Sequence, residues 1–286
     1  MPNPDQILGG NTVQKRWLFL GDGFLDTTED AEAFKKACAS VVGAVTGSAW
    51  YPRIPVGALG IWRYDKPTDP SLPRVGHQPD SQVCGEHKPP YSQDLPHSRF
   101  KAQFRDDAGP CRQLGGYDEA VLEERTEARK AIGLSKYKGF NRILVLVNTK
   151  LYGGSAKSNV AWCALHPSYP LTALHELGHT FELNDEYENT CGIKDSGTAI
   201  PLRDFNIGGN PADLPWSPGV SVPVAEKSDN STCHAYKLVP PAAQAWEGGY
   251  DRHKGYFRPA KTCRMRDSKK EFCEVCQTII ISALTP

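Results

Sequence analysis

The sequence predicts a layered α/β fold, and two observations carry that expectation. Apolar runs that read as strands alternate with segments at helical spacing, and the run from Arg142 to Asn148 is apolar without alternation, as a strand becomes when both faces of its sheet are covered. The length agrees, since 286 residues of which 39% are hydrophobic can build one large domain or two modest ones. No internal repeat and no low-complexity segment interrupts the pattern.

Taken in order, Arg16 to Leu20 reads as a short strand closed by Gly21-Asp22-Gly23. That Gly-Asp-Gly invites a phosphate-loop reading, but its spacing fits no nucleotide fingerprint, and a tight turn at a strand end is expected instead. Phe34, Cys38, Val41, Val42 and Val45 recur on one helical face, with Asp26 and Glu29 placed as a capping box ahead of them. Ile54 to Tyr64 holds a second strand, where Pro55 implies an edge position or a late start. From about residue 67 to 110 the periodicity fails at Pro70, Pro73, Pro79, Pro89, Pro90 and Pro96, and a stretch so irregular is functional, disulfide-tied or mobile. Cys84 and Cys111 flank most of it and are candidates to pair.

Tyr117 to Ile132 returns to helical spacing through Val121, Leu122, Ala128, Ala131 and Ile132, with Glu and Arg on the other face. The strand at Arg142–Asn148 follows, Val160 to Leu165 reads as an edge strand, and Leu171 to Glu182 as a helix that begins just after Pro170. A second irregular tract runs from Thr190 to about Gly255, bracketed in part by Cys191 and Cys233. Phe272, Val275, Cys276, Ile279, Ile280, Ala283 and Leu284 then mark a terminal amphipathic helix.

Composition excludes several classes of function. With 33 basic and 33 acidic residues the net charge is +0, which leaves no global field to hold nucleic acid or an anionic membrane. The longest apolar runs, such as Ile143 to Val147, fall far short of the roughly 20 residues that cross a bilayer. The start, Met1-Pro2-Asn3-Pro4, has neither a basic nor a long apolar region, so no signal peptide is legible. Nine cysteines are an odd number, so at least one is unpaired if the rest form disulfides. Asn230-Ser231-Thr232 is a glycosylation sequon of a kind common by chance, and no ligand spacing demands calcium.

The chemistry concentrates at His175-Glu176-Leu177-Gly178-His179, the zinc-metallopeptidase pattern. Four residues advance about 400° on a helix, so both imidazoles lie on one face about 6 Å apart along the axis, with Glu176 beside them to take a proton from a zinc-bound water. A catalytic zinc takes three protein ligands, and Asp185 stands six residues past His179. A continuous helix would carry Asp185 about 240° around and about 9 Å onward, off the metal. The helix must therefore stop between Phe181 and Asn184, with Asn184 suited to a left-handed turn. Glu186 and Glu182 are substitute ligands. The developing oxyanion needs a donor, for which Tyr256 and Tyr187 are the candidates.

The string His175 through Asp185-Glu186-Tyr187, with Val145-Leu146-Val147-Asn148 and Tyr152-Gly153-Gly154 before it, resembles the IgA-peptidase-like zinc metallopeptidases of bacteria, relatives of the metzincins. Leu20 to Phe24, Trp246 to Gly249, Arg258-Pro259, Cys263 to Arg266 and Phe272 to Cys276 extend the likeness from about residue 15 to 284. The resemblance implies a metzincin-like α/β fold: a mixed twisted sheet, an active-site helix, a methionine turn at Met265 and a C-terminal helix. It implies one catalytic domain over 1–286, with the zinc helix in an N-terminal part (15–189) and a loop-rich C-terminal part (190–286). It implies zinc on His175, His179 and Asp185, with Glu176 as base, and favours Tyr256 over Tyr187 as oxyanion donor, because related enzymes use a tyrosine near the methionine turn. The expected activity is metalloendopeptidase hydrolysis of a protein or peptide substrate by a monomer, secreted or periplasmic, with neither nucleic acid nor membrane as partner. The alternatives are a metal-containing binding or adhesion module without turnover, and a zinc hydrolase of a non-protein amide.

Cys263, Cys273 and Cys276 could be three ligands of a structural zinc or hold a redox pair, but no fourth ligand is spaced nearby. A Cys263–Cys273 disulfide pinning the methionine turn is expected, with Cys276 a buried thiol.

Overall fold

The structure, a computed structural model, describes residues 3–10, 13–77, 95–105, 113–135, 139–187, 203–204, 206–217, 219–227, 236–237, 244–250 and 252–285. Among these residues the chain is mixed α/β, with four helices and two sheets. It divides into two compact units, Met1–Thr180 with Leu284–Pro286, and Phe181–Ala283.

The first unit is built on a nine-stranded mixed sheet of β1 (Asp5–Leu8), β2 (Lys15–Asp22), β3 (Leu59–Tyr64), β4 (Gly76–His77), β5 (Gln103–Arg105), β6 (Gln113–Gly115), β7 (Arg142–Val147), β8 (Gly154–Lys157) and β9 (Val160–Ala164), in the order β1-β3-β2-β7-β9-β8-β6-β5-β4. The central strands β3, β2, β7 and β9 run parallel. Three helices accompany them, α1 (Thr28–Thr46), α2 (Asp118–Ala131) and α3 (Tyr169–His179). Alternation along the strands sorts the core. Leu18, Leu20, Ile143, Val145, Val160 and Trp162 face Val121 and Ala128 of α2, while α3 packs on the other face, where the Cys163 thiol donates to Tyr169 O at 3.5 Å. Both faces of β7 are thus covered, as its unbroken apolar run requires.

Several boundaries differ from the sequence reading, each for a physical reason. Gly21 and Asp22 continue β2 because they still pair with Leu146 and Val147 of β7. The α1 cap is Thr27, whose hydroxyl accepts the Asp30 N–H at 3.1 Å from an extended backbone (φ −127, ψ 152), one residue beyond the expected Asp26. Asp30 Oδ2 reaches back to accept the Leu25 N–H at 2.7 Å. Pro52 sits in a short 3-10 turn at Tyr51–Arg53, so the second strand starts late, at Leu59, and the edge belongs to β1. The expected edge strand at Val160 is internal, because β8 pairs antiparallel outside it.

The irregular stretch before residue 110 contributes a buried polar cluster. Asp22 accepts the Ser98 hydroxyl at 2.6 Å and the Arg99 N–H at 2.9 Å. The Arg99 guanidinium donates to Gly21 O and meets Glu124 Oε1 at 2.9 Å, with both side chains buried. Glu124 therefore occupies the inner face of α2, while Leu122, expected inside, is 39% exposed. Burial pushes Glu124 up to about 7 and also raises Asp22.

The second unit carries a six-stranded sheet of β10 (Arg203–Asp204), β11 (Ile207–Gly208), β12 (Val224–Lys227), β13 (Tyr236–Lys237), β14 (Ala245–Gly249) and β15 (Arg252–Arg258), in the order β10-β11-β15-β14-β12-β13. Leu214, Val222, Ala245 and Phe257 form its small core. The Arg258 side chain is fully buried and donates to the carbonyls of Ala260, Glu247 and Gly248, which ties the end of β15 to β14. Helix α4 (Glu274–Leu284) closes the chain with Cys276, Ile280 and Leu284 buried on the expected apolar face.

The described cysteines, Cys38, Cys163, Cys263, Cys273 and Cys276, are free thiols, so the expected Cys263–Cys273 disulfide is not formed. Cys276 is the buried thiol expected of it. Cys84, Cys111, Cys191, Cys233 and the Asn230 sequon lie outside the described residues. Among the described residues no helix is long and apolar enough to cross a membrane.

Candidate metal centres

Helix α3 presents the first group of donors. It starts at Tyr169, two residues before the expected Leu171, with Pro170 in its first turn, where a missing N–H costs nothing. Ala173, Leu174, Leu177 and Gly178 are buried against the sheet. The helix ends at His179 and not at Glu182; the cap residue Thr180 turns its hydroxyl back to Leu177 O at 2.6 Å. The helix therefore stops before the expected interval of Phe181 to Asn184. The left-handed residue is Glu182 (φ 64) and not Asn184, because both backbone polar groups of Asn184 are held by the Asn206 amide, at 2.8 and 2.9 Å.

On this helix the His175 and His179 rings stand edge to face with centroids 4.9 Å apart. One donor atom each from His175, Glu176 and His179 lies within 4.8 Å of the others. Glu176 is buried, and its carboxylate lies against the backbone of Gly154 in β8: a Cβ there would be 2.5 Å from Oε1. Two imidazoles and a carboxylate whose donor atoms lie this close together are a donor set suited to a borderline cation such as zinc.

Asp185 belongs to the second unit. Its Oδ2 accepts the Tyr187 hydroxyl at 2.8 Å, and its carbonyl accepts the Tyr250 N–H at 2.9 Å. The next residue, Glu186, donates its N–H to Met265 O at 2.8 Å, which fastens the aspartate-bearing segment to the expected methionine turn. That turn is closed by the Arg266 and Asp267 N–H groups on Cys263 O, and Met265 is fully buried. Tyr256 is buried in β15 with its ring 5.8 Å from that of Tyr250, whereas Tyr187 is exposed.

The same unit holds a group the sequence reading dismissed for want of a fourth ligand. Glu186, Cys263, Cys273 and Cys276 bring their donor atoms within 4.8 Å of one another. Burial pushes the Cys263 thiol up to about 11 and raises Cys276 and Glu186, while hydrogen bonds from Cys263 and then Cys276 pull Cys273 down. The signal was present as three cysteines near Met265. Its fourth member is far upstream in the sequence, beside the residue read as a ligand of the first group.

No protein-family profile matches the chain, and no curated protein sequence is significantly similar to it. Among solved structures the chain is similar to an archaemetzincin from Methanopyrus kandleri, with a TM-score of 0.28 and 15% identity over 62% of this chain and 79% of that one. A likeness of that size carries no argument about activity, which rests on the residues.

Proposed function

We propose that the chain is a zinc-dependent metalloendopeptidase of metzincin-like fold, with zinc held by His175, His179 and Asp185. The observation that carries the reading is the convergence of the His175, Glu176 and His179 donors on a helix that stops immediately after the second histidine. Asp185 is favoured as third ligand because the Tyr187 hydroxyl and the Tyr250 N–H orient it, and because the carboxylate of Glu186 is engaged by Asn206 and Cys276. A zinc ion so bound lowers the pKa of a water and polarises a substrate carbonyl.

The residues of the chain supply the rest. Glu176, held in place by its contact with Gly154, takes the proton of the attacking water and returns it to the departing amine. Burial keeps bulk water from competing for that carboxylate. Tyr256 is the proposed donor to the developing oxyanion, since the Tyr187 hydroxyl is already committed to Asp185. The substrate is a protein or peptide, and the active species a monomer.

The test uses the zinc-loaded full chain on casein and on peptide libraries. Wild type should cleave, and Glu176→Gln should lose about 10²–10⁴-fold in kcat with its zinc retained. Asp185→Ala should lose zinc from the histidine site, and unchanged zinc content would move the third ligand to Glu182. A zinc-loaded wild type inert toward every protein and peptide would overturn the peptidase reading.

A further inference from the structure

The second donor group has the dimensions of a metal centre. Cys263 Sγ and Cys276 Sγ are 3.7 Å apart, Cys276 Sγ lies 3.2 Å from Glu186 Oε1, and Cys273 Sγ lies 3.9 Å from the same oxygen. A tetrahedron with Zn–S of about 2.3 Å and Zn–O of about 2.0 Å has a sulfur–sulfur edge of roughly 3.8 Å and a sulfur–oxygen edge of roughly 3.5 Å. The three observed separations fall within about 0.4 Å of those edges. Two further observations point the same way. Glu186 is fully buried, and its Oε2 has no hydrogen-bond partner among the described residues. A carboxylate placed among thiols and left short of partners is costly unless a cation compensates it. Asn206, also fully buried, donates to Glu186 Oε1 at 3.1 Å while bridging the backbone of Asn184, as an outer partner that orients a ligating carboxylate does.

We propose that Glu186, Cys263, Cys273 and Cys276 form a second, structural zinc site. All four positions come from the protein, with Glu186, Cys263 and Cys276 buried and Cys273 half-buried, so the site is closed and offers no place to substrate. Its members reach from the segment beside Asp185, through the turn at Met265, to the first turn of α4, so one ion fastens three pieces of the second unit. Zinc is favoured over calcium or magnesium because three of the four donors are soft thiolates. A disulfide is the competing fate of these cysteines. It would join two sulfurs, which requires an oxidant, and leave the third thiol and the buried glutamate uncompensated.

The site stands independently of the peptidase reading, and its test is spectroscopic. The full chain is grown with cobalt in place of zinc. The histidine site contains no sulfur, so a thiolate-to-cobalt charge-transfer band that is present in wild type and lost with Cys263 and Cys276 reports the second site. The band should persist in a His175→Ala/His179→Ala variant, which should keep one metal per chain by elemental analysis. It should vanish in Cys263→Ser/Cys276→Ser and survive in Glu186→Cys. Absence of the band in wild type overturns the proposal. So does alkylation of the three thiols at equal rates before and after chelation, or the recovery of a disulfide among them in the metal-loaded chain. The wild-type spectrum and the alkylation rates decide the matter even if a variant fails to fold. Loss of peptide cleavage with the band intact would count against the histidine centre only.

Discussion

A Cβ at position 154 would meet Glu176 Oε1 at 2.5 Å and Cδ at 2.9 Å. Atoms that close must separate, and the carboxylate is the movable partner. Gly154→Ala should therefore lower kcat by about 10²-fold, the usual effect of displacing a catalytic group by an ångström, while zinc content holds. An unchanged kcat would show that β8 does not position the base. The glycine was legible in the sequence as part of Tyr152-Gly153-Gly154, but its contact was not, since nothing local in a strand says which helix side chain will press on it. The turn after α3 shows the same limit. The need for a stop was readable from the six-residue interval to Asp185, yet the left-handed position fell on Glu182, at a cost of about 1–2 kcal/mol for a residue with a Cβ. Asn184, the better candidate by propensity, is held otherwise by Asn206.

At the scale of elements, α2 shows how far periodicity reaches. Its existence and its limits within a residue were legible from the spacing, but a glutamate took an inner position that a leucine seemed to own. The reason lies elsewhere in the chain: Arg99 arrives from the irregular stretch and needs a buried counter-charge. Desolvation outweighs that attraction, so the folded-state value of Glu124 is about 7 against an ordinary 4.5. Between these pH values the folded chain still holds a proton that the unfolded chain has released, and stability falls as pH rises through the window. The loss approaches roughly 3 kcal/mol at neutral pH. Glu124→Gln should flatten the melting temperature against pH between about 4.5 and 7, and equal slopes for variant and wild type would reject the assignment. The strands were easier to read where burial is two-sided, as in β7, and hardest where pairing depends on a distant partner. Val160 to Ala164 resembled an edge only because β8 carries no apolar signal of its own.

Across the whole molecule the layered α/β class was legible because it depends on alternation, which the sequence displays directly. The sequence set a part at 15–189 apart from one at 190–286 within one domain, and the two compact units divide nearby, at Thr180 and Phe181; the short strands of the second, paired across long intervals, were harder to see. The balanced charge bears on catalysis. With a net charge of +0 no long-range field gathers charged substrates, so kcat/KM for acidic and basic peptides should change less than about threefold between 0.05 and 0.5 M salt. A steep salt dependence would reveal a local charged patch that steers them. The cysteine count, which composition alone suggested might mean disulfides, resolves among the described residues into free thiols, three of them gathered around one glutamate.

The parallel pairing of β2 also sets a timetable. β3 follows β2 soon in the chain and pairs on one side of it, but the other neighbour of β2, β7, lies some 125 residues farther along. Until that partner is synthesised, one side of a strand whose centre, Trp17 to Leu20, is apolar has nothing to pair with. The central register therefore closes late, through contacts of long sequence separation, which places folding in the slow regime of non-local topologies and leaves the nascent chain dependent on whatever shields β2 during the wait.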